Sequence, residues 1–397
     1  MKYLRIFSLM LILVLSSQIF AQTKTDTVVI NDFYLDLAIR EYMDKPTGEL
    51  SKSDLESLTR FIAVGKGITS LKGLEYAKNL TYLRLDNNNI QDLKPIANLV
   101  KLEVLNVNGN GIEDINPIGN LINLKSLSFD RNKISNIDSL STLVNIKNVT
   151  GNFNKITDIS VIKNWKELTH FNMAFNQLND LSPFKALSKL QGIWIPNNSV
   201  SDLTPIAHLV DLEILILEKN PIVDIKPISN LKKVVQLNLM DTHIQDFSAI
   251  SKLNNIGVLV LRKNNLDNIE FLKDMKSIEW LDIRDNKIKD ISVLNGLPNI
   301  KKLFFSNNQV QSIVPLSNMN RLRWVLMENN SIKNLWPMYN LPNLIDVMSY
   351  GNDLDVKEQL SKTNKKVIEK LKEQGTSFHL APIEITSIYG LEPSKKM

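Results

Sequence analysis

Carboxylates recur in this chain at a spacing that invites a chemical reading. Asp92, Asp114, Asp158, Asp180, Asp202, Asp224, Asp246 and Asp290 stand at one place of a 22-residue period. Carboxylates at fixed separations can serve general acid–base catalysis or hold metal ions. The period argues against both, because a residue that returns once per repeat is a structural residue. These aspartates are expected to be turn residues along one edge of a repeating fold. His170, His208, His243 and His379 are scattered, and none has a second histidine at metal-ligand spacing. Each is expected to be a solvated surface side chain. The chain has no cysteine, which excludes disulfides, thiol nucleophiles and cysteine metal sites. No phosphate loop, nucleophile elbow or metal motif occurs. No enzyme activity, cofactor or metal is therefore expected.

Recognition chemistry is better represented. Trp194, Ile214, Ile216, Met240, Val258, Val260, Trp280, Phe304, Trp324, Leu326, Met348 and Tyr350 alternate with the repeated leucines, so they share the outward side of short strands. Arg262 and Arg284 take adjacent outward places, Asp282 lies beside them, and Lys302 falls between Trp280 and Trp324. Contiguous apolar groups on a solvent-facing sheet mark interaction sites, and Trp and Arg are frequent interface anchors. The competing explanation is cross-strand pairing alone, at about 0.2–1 kcal/mol per pair. In the amino-terminal half the same places hold Asn106, Asn108, Ser126, Ser128, Asp130, Asn148, Thr150, Asn152 and Asn172, which are small and polar. A protein ligand is the first expectation. The alternatives are a glycan stacked on Trp280 and Trp324 and hydrogen-bonded to Asp282 and the asparagine-rich half, or a structural cell-envelope protein with no dedicated ligand.

The elements that position these groups follow from the repeat. Residues 80–101 read LTYLRLDNNNIQDLKPIANLVK, and 102–123 read LEVLNVNGNGIEDINPIGNLIN. In each repeat a Leu-x-Leu alternation of period two gives a short strand with both leucines inward, as at Leu83 and Leu85 with Arg84 outward. An asparagine follows at Asn88, Asn110, Asn132, Asn154, Asn176, Asn198, Asn220, Asn264, Asn286, Asn308, Asn330 and Asn352. Its amide can satisfy the backbone groups that a buried turn strands. Thr242 interrupts the series and should be the weak rung. Pro95, Pro117, Pro183, Pro205, Pro227, Pro315 and Pro337 share a later place, and the residues left over suit a 3₁₀ turn better than an α-helix. The fold expected is α/β: a leucine-rich-repeat solenoid with a parallel sheet on its concave face, 3₁₀ turns on its convex face and a helical cap at each end.

Four segments are expected. Residues 1–21 have the form of an export signal, with Lys2 and Arg5 before the apolar run Leu9–Leu15 and Ala21 at the cut. Residues 22–57 form a helical cap: Leu35, Ala38, Ile39, Tyr42 and Met43 share one helical face, and Ser51 with Asp54 cap a second helix through Leu58. Residues 58–354 hold about 13 repeats of 22 residues. Residues 355–397 form a cap and tail, with Leu360, Val367, Ile368 and Leu371 on one helical face, Gly375 as its stop, and a closing strand through Ile383, Ile385 and Ile388. The formal charge of +5 includes Lys2 and Arg5 of the leader, too small an excess to argue for nucleic acid. With no second long apolar run, the mature chain should have no membrane span. A secreted or cell-surface monomer is expected, with the periplasm as the alternative.

The cap and repeats together resemble the internalin family of bacterial surface proteins. The residues that carry this are Gly48-Glu49-Leu50, the phrase Leu71-Lys72-Gly73-Leu74-Glu75-Tyr76-Ala77-Lys78-Asn79-Leu80, and the repeats with Asp-Ile/Leu-x-Pro-Ile. The resemblance covers about residues 28–354 and implies an exported recognition protein, an adhesin among the options, that binds its partner on the concave face. No LPxTG-like sorting sequence occurs, and the chain stops soon after the repeats, so covalent wall anchoring is not carried over.

Overall fold

The structure, a computed structural model, describes residues 26–356 and 359–381. The export signal and the closing strand expected through Ile383, Ile385 and Ile388 lie outside the described residues. The chain forms two compact units that divide between Ser199 and Val200.

The first unit begins with helix α1 (Phe33–Met43), which buries Leu35, Ala38 and Ile39. Tyr42 was expected on the same face but is 44% exposed. Asp32 caps the helix by accepting from Leu35 N at 2.9 Å, and its other oxygen accepts from Thr69 N, Thr69 Oγ1 and Ser70 N. One carboxylate thus ends the helix and ties the cap to the first repeat. Helix α2 (Lys52–Glu56) carries a capping box of Ser51 and Asp54, and ends before Leu58.

Seven strands follow: β1 (Arg60–Ile62), β2 (Tyr82–Arg84), β3 (Val104–Asn106), β4 (Ser126–Ser128), β5 (Asn148–Thr150), β6 (His170–Asn172) and β7 (Gly192–Trp194). All pair in parallel with their sequence neighbours, in a register of one repeat, so Phe61, Leu83, Leu105, Leu127, Val149, Phe171 and Ile193 line up inside. These inner side chains are almost fully buried.

The asparagine ladder does what its chemistry allows. Asn88 Nδ2 donates to Ala63 O and Leu85 O, and its Oδ1 accepts from Lys66 N and Ile68 N. Asn110 Nδ2 also reaches Leu85 O at 3.0 Å, so that carbonyl is shared by two successive rungs. The recurrent aspartates are turn residues as expected: Asp92, Asp114, Asp158 and Asp180 each accept from the backbone N–H two residues on, at 2.6–2.9 Å. That bond opens a short 3₁₀ turn, such as Lys94–Ile96 or Ser182–Ala186, in which proline fills a position that needs no N–H.

The second unit carries β8 (Ile214–Ile216), β9 (Gln236–Asn238), β10 (Val258–Val260), β11 (Trp280–Asp282), β12 (Lys302–Phe304), β13 (Trp324–Leu326) and β14 (Asp346–Met348), parallel and one repeat apart. Thr242 donates to Asn264 Oδ1 at 2.8 Å, and Ile222 N, which would otherwise reach a ladder amide, turns back to Asn220 O. A short antiparallel pair follows, β15 (Asp355–Val356) with β16 (Gln359–Leu360). Leu360 therefore lies in a strand and not in the carboxy-terminal helix, because Ser361 starts that helix by accepting from Asn364 N. Helix α3 (Lys362–Glu373) buries Val367, Ile368 and Leu371. Its fully buried Asn364 donates to Lys333 O and Leu354 O and accepts from Leu335 N, so the cap supplies one more ladder amide from a helix. Gly375, at φ +89°, ends the helix in a conformation that favours glycine. A strand follows the helix, β17 (Ser377–His379), and it pairs in parallel with β14. Each unit thus has the leucine-rich-repeat architecture, strands on one side and 3₁₀ turns on the other.

Candidate binding site on the strand face

Three outward columns cross the strands of the second unit. The first runs Ile214, Gln236, Val258, Trp280, Lys302, Trp324, Asp346. The second runs Ile216, Asn238, Val260, Asp282, Phe304, Leu326, Met348 and then His379. The third, just past the strand ends, holds Glu218, Met240, Arg262, Arg284, Ser306, Glu328 and Tyr350 in successive repeats.

The second column corrects the expectation of an open apolar face. Ile216, Asp282, Phe304, Leu326 and Met348 point outward by register yet are buried, Phe304 at 0% and Leu326 at 2% exposure. Strands about 4.8 Å apart are closer than an indole is wide, so large side chains of the first column cover the second. Trp280 and Trp324 pack over Phe304, Leu326 and Met348, with Trp280 edge-on to Phe304 at 6.1 Å. The strand face therefore carries a second small hydrophobic core. Ile214, Met240, Val258, Val260, Arg262, Trp280, Arg284, Lys302, Trp324 and Tyr350 are half-buried.

The charged members are also committed. Asp282 is buried and holds Arg284 through two bonds, to Nε at 2.9 Å and Nη2 at 2.7 Å. Burial would lower the Arg284 pKa, but the Asp282 carboxylate beside it raises it above its ordinary value. Arg262 pairs with Asp285. Glu328 is buried beside Ser306, and that burial pushes its carboxyl above the usual range. His379 pairs with Asp346 at 3.1 Å, so it is not the solvated histidine expected.

One part of the face stays open. Val235, Gln236, Gly257, Val258, Glu279, Trp280, Lys301, Lys302 and Trp324 line a depression of about 360 Å³. Lys302 Nζ lies 4.4 Å from the Trp280 ring centre and 5.2 Å from that of Trp324. The three residues alternate in one column because the register sets them side by side. Gly257 opens the edge: Glu213, Val235, Glu279, Lys301 and Arg323 hold the same place in other repeats. A Cβ at Gly257 would meet nothing nearer than Val235 O at 3.8 Å.

Trp194 belongs to the first unit. Its indole lies over Gly192, where a Cβ would come within 2.3 Å of the ring, and it stacks on His170 at 5.9 Å. The polar side chains of that unit bond along their column: Asn108 to Asp86, Asp130 N to Asn108, Asn152 to Asp130 and Ala174 N to Asn152. Two features went unread in the sequence. The exposed large apolar groups include Phe33 (71%) and Leu37 on α1, and Trp336 on an outer turn. A cleft of about 880 Å³ is lined by residues 242–248, 263–268, 270 and 271 and opens beside the weak rung at Thr242, with Phe247 stacked on Phe271. Among the described residues no cluster of three or more His, Cys, Asp or Glu could hold a metal ion.

The pattern described as leucine-rich repeats in two copies matches residues 78–120 and 276–318. A crystal structure of an internalin from Listeria monocytogenes is 28% identical, covers 83% of this chain and 97% of its own, and superposes with a TM-score of 0.76. The chain is an internalin-like leucine-rich-repeat protein. Two more distant structures share the fold of this internalin-like chain. A leucine-rich-repeat protein of Leptospira interrogans is 22% identical, with a TM-score of 0.72 over 79% of this chain and 81% of that one. The plant peptide hormone receptor RGFR1, in complex with RGF2, is 19% identical, with a TM-score of 0.55 over 70% of this chain and 53% of that one. No helix among the described residues of the internalin-like protein is long and apolar enough to cross a membrane.

Proposed function

We propose that this chain is an exported, non-catalytic recognition protein that holds a protein partner against the strand face of its second unit, as an adhesin does. The observation that carries this is the half-open pair Trp280 and Trp324 flanking Lys302 over a packed apolar floor, which gives an interface rigid anchors in a shallow depression. Ile214, Ile216, Val258, Met240, Arg262, Asp282, Arg284 and Tyr350 would form its surroundings, while Phe304, Leu326 and Met348 support it from beneath. The internalin likeness supports a surface or secreted location, and RGFR1 with RGF2 shows the same fold class holding a peptide. The glycan reading is left with the asparagine-rich half for hydrogen bonding, because both Asp282 oxygens are engaged by Arg284.

The experiment probes an array of purified extracellular proteins and a glycan array with the full chain and with a Gly257→Gln variant. The substitution fills the open edge at a place where other repeats carry long side chains, so folding is not at stake. Protein capture that falls at least tenfold in the variant supports the reading. Glycan-only capture, or protein capture indifferent to the substitution, overturns it. Fractionation should find the chain at the cell surface or in the medium; retention in the cytoplasm would contradict export.

A further inference from the structure

Most charged side chains on the strand face of the second unit are engaged by partners within the unit. Arg262 pairs with Asp285, Arg284 with Asp282 and His379 with Asp346, while Glu218 accepts from Asn238 and Glu328 from Ser306. Lys302 is different. Its ammonium sits over two indole faces and has no carboxylate partner among the described residues. The adjoining rim is cationic as well: Lys301, Arg321 and Arg323 line a neighbouring hollow with Asn343. Of these only Lys301 meets a carboxylate among the described residues, Glu279 at 2.7 Å. Four cations against Glu279 give the depression and its rim a local excess of positive charge, and low-dielectric walls focus such a field.

The depression has apolar and polar halves. Val258, Trp280 and Trp324 offer carbon surface beside the Lys302 ammonium. A cavity of about 360 Å³ accommodates one or two side chains.

We propose that this depression receives an acidic side chain, Asp or Glu, with an adjacent apolar side chain, from an extended segment of the partner protein. The carboxylate would pair with Lys302 and draw on the Lys301–Arg321–Arg323 rim, while the apolar neighbour packs on the indoles. This specificity rests on the strand-face reading proposed above.

The test pans a display library of random twelve-residue peptides against the full chain. Selected peptides are then measured as synthetic probes against the wild type and three variants: Lys302→Met, Arg321→Gln/Arg323→Gln and Gly257→Gln. Arg321 and Arg323 are exposed, so their replacement leaves the fold intact even if Lys302→Met does not. The expected result is enrichment of Asp or Glu next to an aromatic or aliphatic residue. Affinity should drop about tenfold or more in both charge variants, as for a close interfacial charge pair. Rising NaCl should weaken wild-type binding, because the cationic rim is exposed. Peptides that bind at Gly257 without acidic residues and ignore both charge variants overturn the proposal and leave the strand-face reading standing. Peptides indifferent to Gly257→Gln as well remove both. Failure to enrich any acidic peptide over a protein-free control also overturns the proposal.

Discussion

Replacing Asn308 by alanine tests the asparagine ladder where its geometry is complete. Asn308 Nδ2 donates to Ile283 O at 3.0 Å and Phe305 O at 2.9 Å, and its Oδ1 accepts from Ile288 N at 3.0 Å. Both carbonyls keep a second donor in the variant: Asn286 Nδ2 lies 2.9 Å from Ile283 O, and Asn330 Nδ2 lies 3.1 Å from Phe305 O. The Ile288 N–H loses its acceptor unless it turns back to the Asn286 carbonyl, and Ile288 is fully buried. The cost is therefore that of one orphaned buried donor, about 1–3 kcal/mol, and not the sum of the bonds removed. Thr242 shows how a rung relaxes without its amide, with Ile222 N turned back to Asn220 O at 2.8 Å. Asn308→Ala should thus cost about 2 kcal/mol, and Thr242→Asn should stabilise by about 1 kcal/mol. Urea unfolding at unchanged slope measures both. Hydrogen exchange followed on a peptide spanning Ile288 gives the local readout, with protection falling roughly 30-fold for 2 kcal/mol. A loss under about 0.5 kcal/mol with Ile288 still protected would refute the orphaned-donor reasoning.

Two further outcomes are expected. Burial raises the Glu328 pKa, so its favourable contribution is complete below the unfolded value of about 4.3 and is lost as pH rises through the folded value. Glu328→Gln should then melt higher than the wild type at pH 7 and converge with it near pH 4. A variant less stable at pH 7 would mean that Arg284 outweighs the burial. Gly192→Ala puts a Cβ within 2.3 Å of the Trp194 ring and should displace the indole from His170, at a cost of about 1–3 kcal/mol in urea unfolding with a changed near-ultraviolet circular dichroism signal. An unchanged midpoint and spectrum would contradict that packing.

The repeat was legible in the sequence because each of its residues does a local job. Leu83 and Leu85 alternate, Asn88 stands where a turn buries its backbone, Asp92 caps the outer turn and Pro95 suits its start. Period alone was enough to establish strands, ladder, 3₁₀ turns and the leucine-rich-repeat fold. It also marked Thr242 as the irregular rung, beside which a cleft of about 880 Å³ opens. The amino-terminal cap was readable from the capping box of Ser51 and Asp54. The carboxy-terminal cap was less so, since β17 pairs at long range with β14 and leaves no local pattern.

Accessibility of the outward residues belonged to the tertiary structure. Alternation states that Phe304 and Leu326 point away from the leucine core, and they do, yet both are buried. What covers them is Trp280 and Trp324 from the neighbouring column, an arrangement set by side-chain size across strands a whole repeat apart. The same holds for charge. Arg284 and Asp282 pair within one strand edge, Arg262 finds Asp285 in the next repeat, and Lys302 lies over two indoles. Periodicity determines direction, because direction is a property of the local backbone. Exposure and free charge are sums over neighbours distant in sequence, and only the packed structure adds them up.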